Sequence, residues 1–447
     1  MEKLYQKRIA WIGFVVLFFL ILPVLFSQAL GYKYNSDKHK FEATGILFVK
    51  TYPRDAQLIL NDKAMDDKTP WQQPKLLPGV YNLKITKPNY LDWEKNITIY
   101  EHTTTFVEDI VLFKRSLPSP VKKFELLDSL TQDNRIHILL GKNNNMISIV
   151  KYNVNSDQWD IIKEWDKNVN VNLISVSPNN SKLIYTENNV YKLLLVDNPS
   201  IDENITGLSK IYWQDIAWDS TSDNILYSTI NNNLYQINIS TMPATITNIV
   251  YNIVDSFAHN NNVYWFTNSK DNKQLVLNKA DKDFNNKEQL LLLPLTTDIE
   301  YISSDGLVSL LDNVNDFLYL IDLNKDEIVA KVFPNVVNAA WYRVNYDKIL
   351  YWNNNELSVY YRDKQESQLI TRVSQPIVNA WWHPNGTYAF YQTDTKVNIV
   401  EFDPRDKKNN YEIVSLDNND LFIVNTKGDA IIYYSADDKT IYKQEIQ

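Results

Sequence analysis

The sequence predicts an all-β fold behind one apolar N-terminal helix, and three observations predict it. Tyr, Phe and Trp make up 13% of the chain, and together with the frequent Val and Ile they suit a pleated, half-buried surface. From about residue 116 onward, short apolar strands separated by Asn-rich turns recur at a period near 41 residues. Ile9 to Phe26 is an uncharged run of 18 residues. The chain's 447 residues leave room for two or three domains. Hydrophobic residues at 44% and charged residues at 22% exclude wholesale disorder. With 45 basic and 54 acidic residues the net charge is −9, without a basic stripe, which argues against nucleic acid as a partner. The absence of cysteine excludes disulfides, thiolate metal sites and cysteine nucleophiles. Only nine glycines are present, so another residue must make the tight turns.

Residues 1–8 read as a short cytoplasmic tail and 9–30 as a transmembrane anchor. The run IAWIGFVVLFFLILPVLF, extended by Ser27 to Tyr32, is long enough for a hydrocarbon core of about 30 Å. Pro23 is tolerated in such a helix, and Trp11 and Tyr32 fall near its two interfaces. The alternative is a secretory signal cleaved near Ala29, because Ser27-Gln28-Ala29 resembles a small-x-small site. Lys7 and Arg8 abut the run, whereas Lys33 is diluted by Asn35, Asp37 and Glu42. This favours a cytoplasmic N-terminus, with the bulk of the chain extracytoplasmic. Residues 31–42 read as a linker.

Residues 43–115 read as a small β-sandwich. Gly45 to Thr51, Ala56 to Leu60, Tyr81 to Thr86, Asn96 to Tyr100 and Phe106 to Phe113 are strand-like, with turns at Asn61-Asp62 and Leu77-Pro78-Gly79 and a loop at Thr69-Pro70. Pro53-Arg54-Asp55-Ala56, Leu58-x-Leu60-Asn61-Asp62, Thr69-Pro70, Leu77-Pro78-Gly79-Val80-Tyr81, Tyr90 and Trp93 resemble the PEGA domain. Only Pro53 and Ala56 of its name-giving motif match. The resemblance covers about one sixth of the chain and implies an envelope context without catalytic residues. Tyr90 and Trp93 read as packing under the last strands, a binding patch being the other reading.

Residues 116–447 carry the repeat. Trp218, Trp341 and Trp382 occupy one repeat position, 123 and 41 residues apart, and Val176 fits the same column. Each opens an apolar strand, a polar turn and a second strand bearing Tyr185, Tyr227, Tyr351 or Tyr391. Asn188-Asn189, Asn231 to Asn233 and Asn353 to Asn355 then supply turns, since Asn tolerates the left-handed conformation. Four short strands per repeat predict a β-propeller. First strands start near Leu127, Leu173, Ile216, Ser256, Tyr301, Ala339, Ala380 and Leu421, which gives eight blades, with seven as the alternative. Pro120 to Leu126 would supply the fourth strand of the last blade. Ser177-Pro178-Asn179-Asn180 and His383-Pro384-Asn385-Gly386, each after the aromatic column, resemble the WD40-like repeat of periplasmic TolB-type propellers.

No sequence signature of catalysis appears. His39, His102, His137, His259 and His383 lack metal-ligand spacing, and HExxH, GxSxG and phosphate-binding glycine motifs are absent. No cofactor is expected. Trp218, Trp341 and Trp382 read as packing against the next blade rather than as sugar platforms. Trp381, Tyr342 and Trp213 fall outside that column and are the candidate exposed binding aromatics. The expected function is a membrane-anchored extracytoplasmic binding protein whose propeller engages an envelope protein or a cell-surface glycan. Two alternatives are a glycan-active hydrolase or lyase with funnel carboxylates, and a scaffold for envelope assembly that exposes apolar patches on one propeller face.

Overall fold

In the computed structural model, all residues are described except 1, 134, 144, 206–212, 242, 303–306, 324–327, 395 and 416–420; the side chains of 2–10, 24, 28, 132, 133, 214 and 215 also lie outside the description. Two units emerge. The first comprises Met1–Ser116, Asp403–Asn409 and Ile446–Gln447, and the second Leu117–Phe402 and Asn410–Glu445.

The first unit begins with a helix, Glu2–Ala29, which contains Pro23. The predicted anchor falls on this helix, but among the described residues no helix is long and apolar enough to cross a membrane. The side chains of Ile9, Ala10, Val24 and Gln28, all within the predicted anchor, lie outside the described residues. The predicted linker is instead an ordered hairpin. Tyr32–Asn35 pairs antiparallel with Lys40–Ala43.

Seven strands then form two sheets. Trp71–Leu76, Gly45–Tyr52 and Thr104–Val111 make one; Lys63–Lys68, Gln57–Leu60, Gly79–Thr86 and Trp93–Ile99 make the other. Lys63–Lys68 and Trp71–Leu76 escaped the sequence reading because both are edge strands. An edge strand needs no alternating apolar face, and charged or proline residues suit it. Leu47, Leu58, Leu83, Ile85, Trp93 and Ile97 fill the core between the sheets, with Tyr90 packed against it. Trp93 is fully buried and is a packing residue.

The second unit is a succession of eight four-stranded antiparallel sheets. Their first strands are Glu125–Asp133, Val171–Val176, Gln214–Trp218, Ser256–His259, Ile299–Ile302, Asn338–Trp341, Asn379–Trp382 and Phe422–Val424. The eighth sheet is completed from the other end of the unit: Ser119–Lys123 pairs with Thr440–Glu445. Every neighbouring pair of sheets shares an apolar seam. Clusters bridge sheets one to two, two to three, three to four, four to five, five to six, six to seven, and eight to one. Between sheets seven and eight, the Trp381 ring lies 4.6 Å from Phe422. The succession therefore closes into a propeller-like ring.

The aromatic column is structural. Trp218 and Trp341 are buried, and each packs against the preceding sheet rather than the following one: Trp218 against Ile184 and Leu193, Trp341 against Leu311, Leu318 and Leu320. Trp341 also donates from Nε1 to Ser309 Oγ at 2.9 Å, and Trp382 from Nε1 to the Ala340 carbonyl at 2.7 Å. Asn takes the left-handed conformation at Asn188-Asn189 and Asn231-Asn232 as expected, whereas Asn353 to Asn355 turn without it, Asn353 Oδ1 accepting from the Asn355 and Glu356 amides. Among the described residues, 13 of the 26 non-glycine residues with positive φ are Asn, against four glycines, and Asn188-Asn189, Asn231-Asn232 and Asn260-Asn261 take it in pairs. Gly141 has a different task. A Cβ there would lie 2.3 Å from the Phe124 ring, which plugs the seam between sheets eight and one.

Trp341→Ala removes a large buried side chain and strands the Ser309 hydroxyl. It should destabilise the propeller by about 3–5 kcal/mol, read as a lower denaturant midpoint at unchanged slope. Gly141→Val should likewise lower the midpoint by forcing Phe124 out of the closing seam.

Candidate functional site

Antiparallel succession places the turns of each sheet at two opposite faces. The first-to-second and third-to-fourth turns lie on one, here called the far face. The second-to-third turns and the connections that lead into the next sheet lie on the other, the entry face.

Polar contacts between successive sheets occupy the far face. Lys182 Nζ donates to the Asp223 carbonyl at 3.0 Å and to Asn224 Oδ1 at 2.6 Å. Thr221 Oγ1 donates to Asn261 Oδ1 at 2.7 Å. Tyr342 donates from its hydroxyl to the Pro384 carbonyl at 2.5 Å. His383 Nε2 lies 3.2 Å from the Gly428 carbonyl, and Thr426 bonds Asn155. These groups lock turn to turn around the ring.

The entry face differs. Its connections repeat a four-residue pattern of two apolar residues, an Asx and a small residue: Leu126-Leu127-Asp128-Ser129, Ile253-Val254-Asp255-Ser256, Val336-Val337-Asn338-Ala339 and Ile377-Val378-Asn379-Ala380. The Asx Oδ1 accepts from the amide of the next residue in all four, at 2.7–2.8 Å. Val254, Val337 and Val378 each donate their own amide to a second-strand carbonyl at 2.8 Å. The backbone is thus held from both sides. The first apolar residue of each pattern turns inward: Ile253, Val336 and Ile377 are buried, and Leu126 packs against a core cluster. The second turns outward: Leu127, Val254, Val337 and Val378 are 37–57% exposed. Tyr251, Leu295 and Val314, on connections and a turn of the same face, are also exposed. From the third-to-fourth connection to the sixth-to-seventh, exposed aliphatic groups form an arc.

At the ring's closing seam the same face opens a cavity of about 680 Å³, lined by Lys123, Phe124, Glu125, Lys142, Met146 and Lys439 among others. Lys439 Nζ pairs with Glu125 Oε2 at 2.8 Å and holds that carboxyl below its usual range. Three ammonium groups around one carboxylate leave this end of the face locally cationic.

The three candidate aromatics fare differently. Trp213 is buried, packed in the cluster between sheets two and three with its ring 5.7 Å from Tyr235. Tyr342 is buried too. It follows the last residue of a strand, and the turn carries its ring to 5.1 Å from Trp382, beneath Lys348 Nζ at 4.6 Å. Gly386 leaves the room for it, because a Cβ there would meet the ring at 2.7 Å. Trp381 is half-buried against Phe422. The expectation that these three stand exposed is corrected for Trp213 and Tyr342. Exposed aliphatic residues, with Tyr251 as the one exposed ring among those named, mark the open face.

The densest polar cluster joins sheets one and two. Tyr185 donates from its hydroxyl to Asp202 Oδ1 at 2.7 Å, and Lys163 Nζ donates to the same hydroxyl at 2.7 Å. Lys163 also pairs with Asp202, and Lys192 pairs with Glu187 at 2.8 Å. Burial, then Asp202, pushes the Tyr185 hydroxyl far above its ordinary pKa. Such a phenol stays protonated and cannot act as a base, so the cluster is an ion-pair seam. Asp128, at the entry-face end of the first sheet's inner strand, has its carboxyl pushed up by burial. Among the described residues, no group of three or more His, Asp or Glu side chains could hold a metal ion.

With this geometry in hand, comparison with known proteins adds two findings. Residues 44–111 match the PEGA domain family. The first unit carries a PEGA domain. The second finding is a set of solved structures of low identity. The C-terminal WD40 domain of Sif2 resembles the chain with a TM-score of 0.48 at 12% identity, over 74% of this chain and 99% of that one. AztD from Citrobacter koseri follows at 0.43 and 11%, over 67% and 92%, and an oligogalacturonate lyase at 0.43 and 9%, over 83% and 94%. At these values the likeness carries nothing of those proteins' ligands or chemistry, and the ring rests on the sheet order and seams described above. No curated protein sequence matches the chain.

The far face yields a prediction. Burial holds the His383 imidazole below its ordinary pKa of 6.5, against the raising effects of Asn385 and Gly428. The unfolded chain therefore takes up this proton first. The stability is fully present above about pH 6.5 and is lost as pH falls from there toward the folded-state pKa. Thermal melts between pH 7.5 and 5 should show this decline, with a shallower slope in His383→Gln.

Proposed function

We propose that this chain is a membrane-anchored, extracytoplasmic binding protein. Its eight-bladed propeller would hold an envelope protein partner on the entry face. The observation that carries the reading is the repeated doublet with a buried first and an exposed second residue. Ring packing accounts for the first. It makes no demand for a large aliphatic group at the second, yet Leu or Val stands there four times and is followed each time by the same Asx bond. Clustered exposed apolar groups on a rigid ring are the composition of a protein-docking surface. A carbohydrate site would instead favour several exposed rings bordered by hydrogen-bonding groups, whereas two of the three candidate aromatics are buried and Tyr251 stands among aliphatic neighbours. The PEGA domain supports an envelope setting, and the apolar helix supports tethering by the N-terminus, with the bulk of the chain outside. No cofactor enters this reading.

Val337→Asp with Val378→Asp places two charges in the middle of the arc without touching the core. Surface changes of this kind alter stability by about 0.5 kcal/mol or less. The double variant should melt like wild type and lose at least tenfold in partner recovered from crosslinked membranes. Unchanged recovery would move the contact elsewhere. Degradation of envelope polysaccharide by the purified propeller, abolished by a single funnel Asp→Asn change, would replace binding by catalysis.

A further inference from the structure

The hairpin Tyr32–Ala43 is amphipathic, and the rest of the first unit leaves the Tyr34 and Phe41 rings of its apolar side exposed. Its register sets Tyr32 opposite Ala43, Lys33 opposite Glu42, Tyr34 opposite Phe41 and Asn35 opposite Lys40. Alternation then gathers Tyr32, Tyr34 and Phe41 on one side, and Lys33, Asn35, Lys40 and Glu42 on the other. The Tyr34 and Phe41 rings meet edge to face at 5.4 Å, and each residue is 48% exposed. The hairpin pairs with no third strand among the described residues. An isolated two-stranded hairpin is marginal in water.

The polar side is nonetheless built with care. Asn35 Oδ1 accepts from the amides of Asp37 and Lys38 and closes the turn, and Asn35 Nδ2 donates to Glu42 Oε2 at 2.6 Å. Lys38 and Lys40 both reach Glu42 Oε1, at 3.0 and 3.1 Å. Such ties hold the polar side rigid. On the ring side Ala43 is buried and Tyr32 meets the His102 ring at 6.0 Å, which leaves Tyr34 and Phe41 as the exposed pair.

The aromatic side continues into the helix. Pro23, Phe26, Ser27 and Leu30 of the helical end join Tyr32 and Phe41 around an apolar groove of about 430 Å³. Gly31, at a φ of 82°, turns the chain from helix into hairpin at that groove. The described helix residues from Trp11 to Leu22 are largely exposed apolar groups as well. Whatever medium covers the helix therefore extends over the ring face of the hairpin without a polar break. Aromatic rings with lysines above them are the composition of a membrane interface. Three lysines against Asp37 and Glu42 leave the hairpin net cationic.

We propose that the hairpin Tyr32–Ala43 is an interfacial lipid-binding element. Its Tyr32, Tyr34 and Phe41 rings rest at the boundary between headgroups and acyl chains. The apolar groove takes the upper part of one acyl chain, and Lys33, Lys38 and Lys40 face anionic headgroups. This rests on the reading of the N-terminal helix as a membrane anchor.

The natural lack of cysteine makes the test direct. Single cysteines at Leu17, Tyr34, Phe41, Lys33 and Lys38 are spin-labelled in the full-length protein, reconstituted in phosphatidylcholine–phosphatidylglycerol vesicles. Accessibility to oxygen and to an aqueous nickel chelate then gives depth. Labels at Leu17, Tyr34 and Phe41 should be shielded from nickel, Leu17 deepest, and the Lys38 label should be open to it. Lys33→Cys leaves the ring pair intact and should report a position at the headgroup level. If the 33, 34 and 41 labels are as open to nickel as 38 while 17 is shielded, the hairpin proposal falls and the anchor stands. If 17 is open too, the anchor reading itself falls.

Discussion

Closure of the ring is the constraint on which the second unit depends. A four-stranded sheet standing alone exposes both faces, and only a neighbour on each side removes that surface from water. The neighbours exist for all eight sheets because Ser119–Lys123 returns to pair with Thr440–Glu445, so the two ends of the unit build one sheet together. That pairing brings Phe124 beneath Leu139 and Val150 of the first sheet, a fit that requires Gly141. Each Trp or Val of the aromatic column then leans back on the sheet before it. The ring is consistent only when complete, which makes it a rigid platform.

Much of this was legible in the sequence. The Trp218, Trp341 and Trp382 column, the Asn turns and the returning N-terminal strand were all visible, because each reflects a period or a backbone requirement of the fold. What stayed hidden involved the ends of strands. Strand alternation alone puts Tyr342 opposite Trp341, hence toward solvent. The strand stops at Trp341, however, and the turn folds Tyr342 onto the next sheet, in space that Gly386 leaves open. Trp213 precedes its strand and drops into the seam between sheets two and three. The outward doublets were present as Val-Asn-Ala and Val-Asp-Ser strings. Valine in a β-rich chain does not announce its face, though, and only the paired burial of Ile253 with exposure of Val254 reveals it.

The two faces of the ring divide the labour. Tyr342, Lys182, His383 and their partners use the far face to hold turn against turn. The entry face is left with aliphatic groups that the ring does not need and a cationic cavity at its closing seam. This asymmetry is the distinctive feature of the unit, and the proposed binding role rests on it: most turn-to-turn bonds lie on the far face, while the entry face keeps the exposed aliphatic arc and the Lys439–Glu125 pair at the closing seam.

A photoreactive amino acid placed at Val378, and in a second experiment at Val344 on the far face, tests this division most directly. Both positions are exposed, at 57% and 72%. On ultraviolet irradiation of intact cells, the account predicts one discrete adduct from position 378 that disappears when Val254→Asp is added. It predicts none from 344. An adduct from 344 alone, or one from 378 indifferent to Val254→Asp, would contradict it.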